Sequence, residues 1–303
     1  DDETTVIPKP EGITYGTVTD KGGNIYKTLT IGNQTWLAEN FRYRPKEATA
    51  ADLVTYGESY GGNERTILEG TDMKAYQTFC RNYSGQKFLL YLREQLFAAE
   101  EAGRLNTSSP YKVDWIAAQV GNYTIPNLLS YNRHNDIKDE LTAIWNDAID
   151  YYFKVDQDYL ERFGYLYSYE AAMAAVPKGW RLPTDEDWQE LERTLGMSGK
   201  EISLMNQWRG NGQGDLLKSG ESGIGFDALM CGGKLFGTGE KVNVYSRQGA
   251  NAYFWSASAI AETDSTQIAV VRSVGMGESG ILRFYSRTDG TAYSVRCVKN
   301  KED

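Results

Sequence analysis

The spacing of apolar residues changes along the chain and divides it into three segments. Residues 14–37 follow a strand pattern. TYGTVTD is followed by the turn-forming KGGN at 21–24, and Tyr26, Leu29 and Ile31 then fall among β-branched residues. A second turn at Gly32-Asn33 leads into a return through Trp36 and Leu37. Two successive hairpins account for this order most economically. Beyond about Arg44 the period lengthens. Phe88, Leu92, Leu96 and Ala99 stand three or four apart, with Arg93, Glu94, Glu100 and Glu101 off the stripe and Gly103 after it, which predicts an amphipathic helix over 85–103. Val113, Ile116, Ala117 and Val120 repeat the spacing, and a longer run follows through Ile137, Leu141, Ile144, Ala148, Tyr152, Val155 and Tyr159. The middle third is therefore expected to be helical.

At Gly164 the pattern changes again. Ser168 is placed to cap a short helix from Tyr169 to Val176, which Pro177 stops. LPTDEDWQELERTLG carries the clearest helix signal of the chain: Thr184 at the N-cap, Asp187 three residues on, Trp188, Leu191 and Leu195 on one face, and Gly196 after the end. Glycine-rich loops at 209–225 and 231–240 follow, and then strands over 252–258, 267–274, 281–287 and 292–299. The opening DDETTVIPKPEG has too little apolar surface to fold and reads as a tether over residues 1–13.

Composition narrows the chemistry. With 32 Lys and Arg against 41 Asp and Glu, the net charge of −9 disfavours nucleic acid and anionic lipid, which need a basic face to release counterions. No apolar run is long enough to cross a membrane. A single histidine, His134, leaves almost no room for histidine-based metal sites. It lies ahead of the long helix without a GxSxG serine, so a polar loop residue is the simpler reading than a general base. Cys80, Cys231 and Cys297 are an odd count without a CxxC pair. The glycine-rich stretches lack the GxxxxGK[ST] order of a phosphate cradle. The acids Asp185, Glu186 and Asp187 sit in a first helical turn, where they complement the helix dipole more simply than they hold calcium. The sequence supplies no catalytic constellation and implies no cofactor; whether it holds a metal is left open.

Five blocks, TVTDKGGNIYKTLTIGNQTWLAENF at 17–41, GYLYSYEAAM at 164–173, PKGWRLPTDEDWQEL at 177–191, FWSAS at 254–258 and YSVRCVK at 293–299, together resemble the Fibrobacter succinogenes major paralogous domain family. The resemblance covers 14–44 and 164–299 and implies an α+β, C-type-lectin-like domain with a twisted antiparallel sheet and two helices. Residues 45–163 are then a mainly helical insertion. It also implies an exported envelope protein, expected here as a lipoprotein anchored upstream of Asp1 at the outer surface or in the periplasm. The family usually has a cysteine where this chain has Val176, so the pairing with Cys297 implied by the resemblance cannot form, and Cys231 is the nearest alternative partner.

These observations favour a binding or adhesion protein whose ligand is a glycan or a surface peptide. The alternatives are an enzyme of the formylglycine-generating-like or hydrolase class and a structural subunit of a surface assembly. Loops 206–215 and 241–253 are expected to carry the ligand through Trp208, Arg209, Asn211, Asp215, Asn243, Tyr245, Arg247 and Asn251. They combine aromatic faces with amides and a carboxylate, the chemistry that covers sugar C–H faces and binds hydroxyls. Trp36, Trp180, Trp188 and Trp255 are assigned to the core.

Overall fold

The computed structural model describes residues 7–48, 52–55, 64–81, 83–105, 112–130, 136–235, 244–263 and 265–301. Its chain forms two compact units, one of Asp1–Tyr56 with Leu160–Asp303 and one of Gly57–Tyr159. The first unit opens with β1 (Thr14–Thr19), β2 (Ile25–Ile31), β3 (Gln34–Leu37) and β4 (Leu53–Val54). The second holds α1 (Glu64–Glu69), α2 (Met73–Arg81), α3 (Tyr83–Glu101), α4 (Val113–Gln119), α5 (Ile125–Leu129) and most of α6 (Lys138–Phe163). The first unit then resumes with β5 (Leu166–Tyr167), α7 (Tyr169–Ala174), β6 (Trp180–Arg181), α8 (Asp185–Thr194), α9 (Gly199–Ile202), β7 (Gln207–Arg209) and α10 (Gln213–Leu217). It ends with β8 (Gly233–Leu235), β9 (Val244–Ser246), β10 (Asn251–Thr263), β11 (Thr266–Gly275), β12 (Ile281–Arg287) and β13 (Val298–Lys299).

The architecture is α+β with antiparallel sheets. One sheet has the order β1-β2-β3-β13-β6 and another β10-β11-β12-β7, with two-stranded pairs β4-β5 and β8-β9 beside them. The two expected N-terminal hairpins form, with Tyr15 opposite Leu29 and Leu29 opposite Trp36. In α8 the capping box is complete: Thr184 accepts from the Asp187 amide while the Asp187 carboxylate accepts from the Thr184 amide. That helix buries Trp188 and Leu191 against Trp36, Phe226 and Phe254, the Trp36 and Trp188 rings 4.8 Å apart. A second cluster holds Tyr26, Phe41, Tyr167, Trp255, Tyr293 and Cys297. Trp36, Trp180, Trp188 and Trp255 are all in the core.

Two expectations need correction. The described end of the tether is docked: Ile7 and Ile13 pack on the Trp188 cluster, and a side chain on Gly212 (φ 107°) would stand 2.9 Å from Ile7 Cγ1. Residues 292–299 are not one strand. Ala292 bridges to Lys234, Tyr293 to Tyr167 and Ser294 to Phe254, and only Val298–Lys299 joins a ladder. The segment changes partner almost at every residue because it threads the middle of the unit, with every residue from Thr291 to Val298 buried.

In the helical unit the predicted stripes are the core as far as Tyr152; the Val155 side chain lies outside what the structure describes, and Tyr159 is half-buried. Phe88, Leu92, Leu96 and Ala99 of α3 meet Ile144, Trp145 and Ala148 of α6 and Ile116 of α4. Helices α2 and α5 were not anticipated. Both are short, yet Tyr76, Phe79 and Cys80 carry helical spacing, and Thr124 caps α5 by accepting from the Asn127 amide at 3.2 Å.

Candidate functional site

The residues nominated from sequence separate into three groups. Arg209 is removed from the surface, being 1 % exposed. Its guanidinium donates to Glu192 Oε1 at 2.5 Å and Oε2 at 3.0 Å, and to the Ile202 carbonyl at 2.8 Å. Burial pulls the Arg209 pKa down while the Glu192 hydrogen bonds oppose the shift. Glu192 also accepts from Arg272 Nε at 2.6 Å, and Arg272 Nη1 lies 2.8 Å from Asp185 without hydrogen-bond alignment. Arg283 closes the network with a fork onto Asp185 at 3.0 and 2.6 Å. Arg209 is thus part of a buried ion cluster of three arginines on two carboxylates. An arginine between a half-buried tryptophan and a glycine gives no sign in sequence of which way it points.

Of the three acids considered for calcium, Glu186 is exposed and the other two are engaged in the same way. Asp185 is held by Arg283 and Arg272, and Asp187 completes the helix cap and receives Arg181 Nη2 at 2.5 Å. Among the described residues no group of three or more His, Cys, Asp or Glu is arranged to hold a metal ion.

Trp208, Asn211, Asp215 and Asn251 are brought together around the β11–β12 turn. Trp208 pairs with Leu282 across the ladder and is half-buried. Its ring crosses Gly275: a Cβ there would lie 3.0 Å from Trp208 Cη2 and 3.2 Å from Asn251 Nδ2, so a side chain at this position would press on both the ring and the amide. Asn251 donates to Ser273 Oγ at 3.2 Å, Asn211 Oδ1 accepts from Ser279 Oγ at 3.3 Å, and Lys218 bridges Asp215 (2.7 Å) to the Glu278 carbonyl (2.8 Å). Arg247 is exposed at φ 67° in the turn before β10, where its carbonyl accepts from the Asn251 amide. Tyr245 sits half-buried on β9, packed against a small cluster with Val54, Leu166 and Cys231. Asn243 and His134 lie outside the described residues.

A concave site that sequence reasoning missed lies elsewhere in the β unit. Its volume is about 320 Å³, and Lys234, Asp52, Glu170, Gln267, Asp289 and Thr291 are among its walls. Lys234 exchanges two backbone hydrogen bonds of 2.9 Å with Ala292, which fixes the root of its side chain. Burial lowers its pKa, and among the described residues no carboxylate pairs with its amine. The lining comes from five separate chain segments, a juxtaposition without a local sequence signal. The helical unit has its own groove of about 510 Å³, with Trp145, Asn146, Pro126 and Asp150 in its walls.

All three cysteines are free and buried, so the Cys231–Cys297 bridge considered from sequence is absent. Burial pushes Cys80 and Cys231 up to about 11 and Cys297 well above the ordinary thiol range. None of the three has the lowered pKa that makes a thiolate nucleophile. Val176, at the family's usual cysteine position, packs against the cluster that buries Cys297. Near Cys231, Asn40 donates to its sulfur at 3.3 Å and accepts from Arg296 Nε at 2.7 Å. Arg296 is fully buried against the Phe226 ring at 4.5 Å and donates to the carbonyls of Leu37, Phe226 and Asp227.

The fold and these sites define an α+β protein with a cleft and an aromatic patch on its β unit and a separate groove on its helical unit. The model of the Fibrobacter succinogenes major domain matches residues 114–299, and the chain belongs to that family. The match takes in α4 to α6, which the sequence blocks leave unmatched, and omits the N-terminal hairpins, which they include. No curated protein and no solved structure matches the chain. No helix among the described residues is long and apolar enough to cross a membrane.

Proposed function

We propose that this protein is a non-catalytic binding or adhesion module of the cell envelope, with a glycan as its ligand, carried on a C-type-lectin-like β unit. The observation that carries this reading is the Trp208 patch: a partly exposed indole fitted over Gly275, with the Asn251 amide beside it and Asn211, Ser279 and Asp215 around the same turn. A flat aromatic ring covers the C–H face of a sugar, and neighbouring amides and carboxylates bond its hydroxyls. Arg209, first placed in this surface, is withdrawn from it because its guanidinium is committed to Glu192.

The resemblance to a family of exported envelope proteins is what supports export with attachment through a lipid anchor upstream of Asp1. Fractionation of the cells that make the protein, with and without globomycin, tests this; a cytoplasmic pool insensitive to the drug would exclude it. The binding reading is tested on a glycan array with purified protein. Trp208→Ala should weaken any glycan bound by the wild type by about tenfold or more, or ~1.4 kcal/mol. Gly275→Val, which drives a side chain into the Trp208 ring and the Asn251 amide, should do the same. Glycan binding that survives both substitutions places the ligand elsewhere, and turnover in a hydrolase or oxidase screen would overturn the non-catalytic reading.

A further inference from the structure

The Lys234 cleft has a chemistry different from that of the Trp208 patch. Its backbone is rigid where it matters. Lys234 is tied to Ala292 on one side and stands opposite Tyr245 in the β8–β9 ladder on the other. Ser168 donates its amide to the Asp52 carbonyl at 2.8 Å, and Thr288 donates both its amide and its hydroxyl to the Gln267 carbonyl, so the two rims are also pinned. Asp289 is held by a two-pronged Arg287 contact of 2.9 and 2.8 Å.

Within this frame the charges are unevenly placed. The Lys234 amine is half-buried and has no acidic partner among the described residues, although Asp52, Glu170 and Asp289 share the cleft with it. A partly desolvated ammonium with no counter-charge favours a ligand that supplies one. The three carboxylates only accept hydrogen bonds, so the rest of the ligand has to present donors. Hydroxyls meet that need. A polyacidic peptide or an inorganic dianion would bring more negative charge than the one Lys234 ammonium can meet beside these carboxylates, whereas a single carboxylate matches it. A neutral sugar would leave the ammonium unpaired. The volume of about 320 Å³ is near the lower limit for small-molecule sites, the size of one ring and its substituents rather than a long chain.

We infer that this cleft is a separate binding site for a single carboxylate-bearing sugar unit of the uronic-acid type, with Lys234 Nζ meeting the sugar carboxylate and Asp52, Glu170 and Asp289 receiving its hydroxyls. The assignment is independent of the Trp208 patch.

Titration calorimetry with three probes tests it: methyl β-glucuronide, methyl β-glucoside, which has the same ring without the carboxylate, and acetate, which has the carboxylate without the hydroxyls. The glucuronide should bind about tenfold or more tighter than either of the others. Lys234→Met should bring glucuronide binding down to the glucoside level, and Lys234→Arg should retain most of it. Trp208→Ala should leave it unchanged, which separates this site from the patch. Melting temperatures of the variants report folding, and the three-probe comparison on the wild-type protein stands without any variant. Equal binding of glucuronide and glucoside, equal binding of glucuronide and acetate, no binding of the glucuronide, or glucuronide binding untouched in a folded Lys234→Met protein would each overturn the inference.

Discussion

Trp208 and Arg209 are adjacent in β7, and the chain uses them oppositely. The indole stays at the surface over Gly275, while the guanidinium enters a buried cluster with Glu192. Removing Arg209 takes two hydrogen bonds from the buried Glu192 carboxylate and leaves Arg272 as its remaining guanidinium partner, and breaking a buried pair costs up to about 3–5 kcal/mol. Arg209→Ala should therefore lower stability by about that amount in urea denaturation, while the remaining folded protein binds glycan as the wild type does. A loss of glycan binding in a variant of undiminished stability would return Arg209 to the ligand surface. Sequence alone nominated both residues on composition, and composition does not separate them. What separates them is the position of Glu192, 17 residues away in α8. Lys234 shows the reverse case: nothing in its neighbourhood marks it, and its significance comes from walls contributed by distant segments.

Among the elements, α8 was legible almost to the residue because a capping box and an amphipathic stripe are local properties. The same first turn carries a long-range duty. Burial of Asp185 opposes its ionisation, but the Arg283 fork and Arg272 outweigh it and hold its pKa below the usual carboxylate value. A group whose folded pKa is depressed stabilises the fold fully above its unfolded pKa and loses that contribution as the pH falls through the folded value. Thermal stability should therefore fall as the pH drops from about 4 through the lowered Asp185 pKa, and Asp185→Asn should be destabilised at neutral pH but show a shallower decline over that acid range. Parallel acid limbs in the two proteins would show that Asp185 does not contribute. The last segment, 292–299, was misread for a related reason. Alternating bulky residues specify extended backbone, but the partner is a tertiary matter, and here each residue finds a different one.

For the whole molecule, the division into a β unit and a helical unit has a simple origin in the ladder β4-β5. Leu53 stands opposite Tyr167 and Val54 opposite Leu166, so the chain leaves and rejoins the β unit side by side. Each unit also has its own core, one around Phe88 and Trp145, the other around Trp36 and Trp188 with its neighbour around Trp255. Excision of Gly57–Tyr159 with a short glycine-serine connector should accordingly leave a β unit that folds, as read by dispersed amide resonances and a cooperative melt. A collapsed, non-cooperative product would mean that the β unit depends on the helical one. By itself the sequence determined the hairpins, the amphipathic helices with their caps and the family, because each follows from spacing and residue type within a few positions. Only the tertiary structure decided that Arg209 is internal, that residues 292–299 thread the core instead of forming one strand, and that Lys234 has no acidic partner among the described residues. Those depend on which distant segments meet, and hydrophobic burial, being non-directional, does not encode that locally.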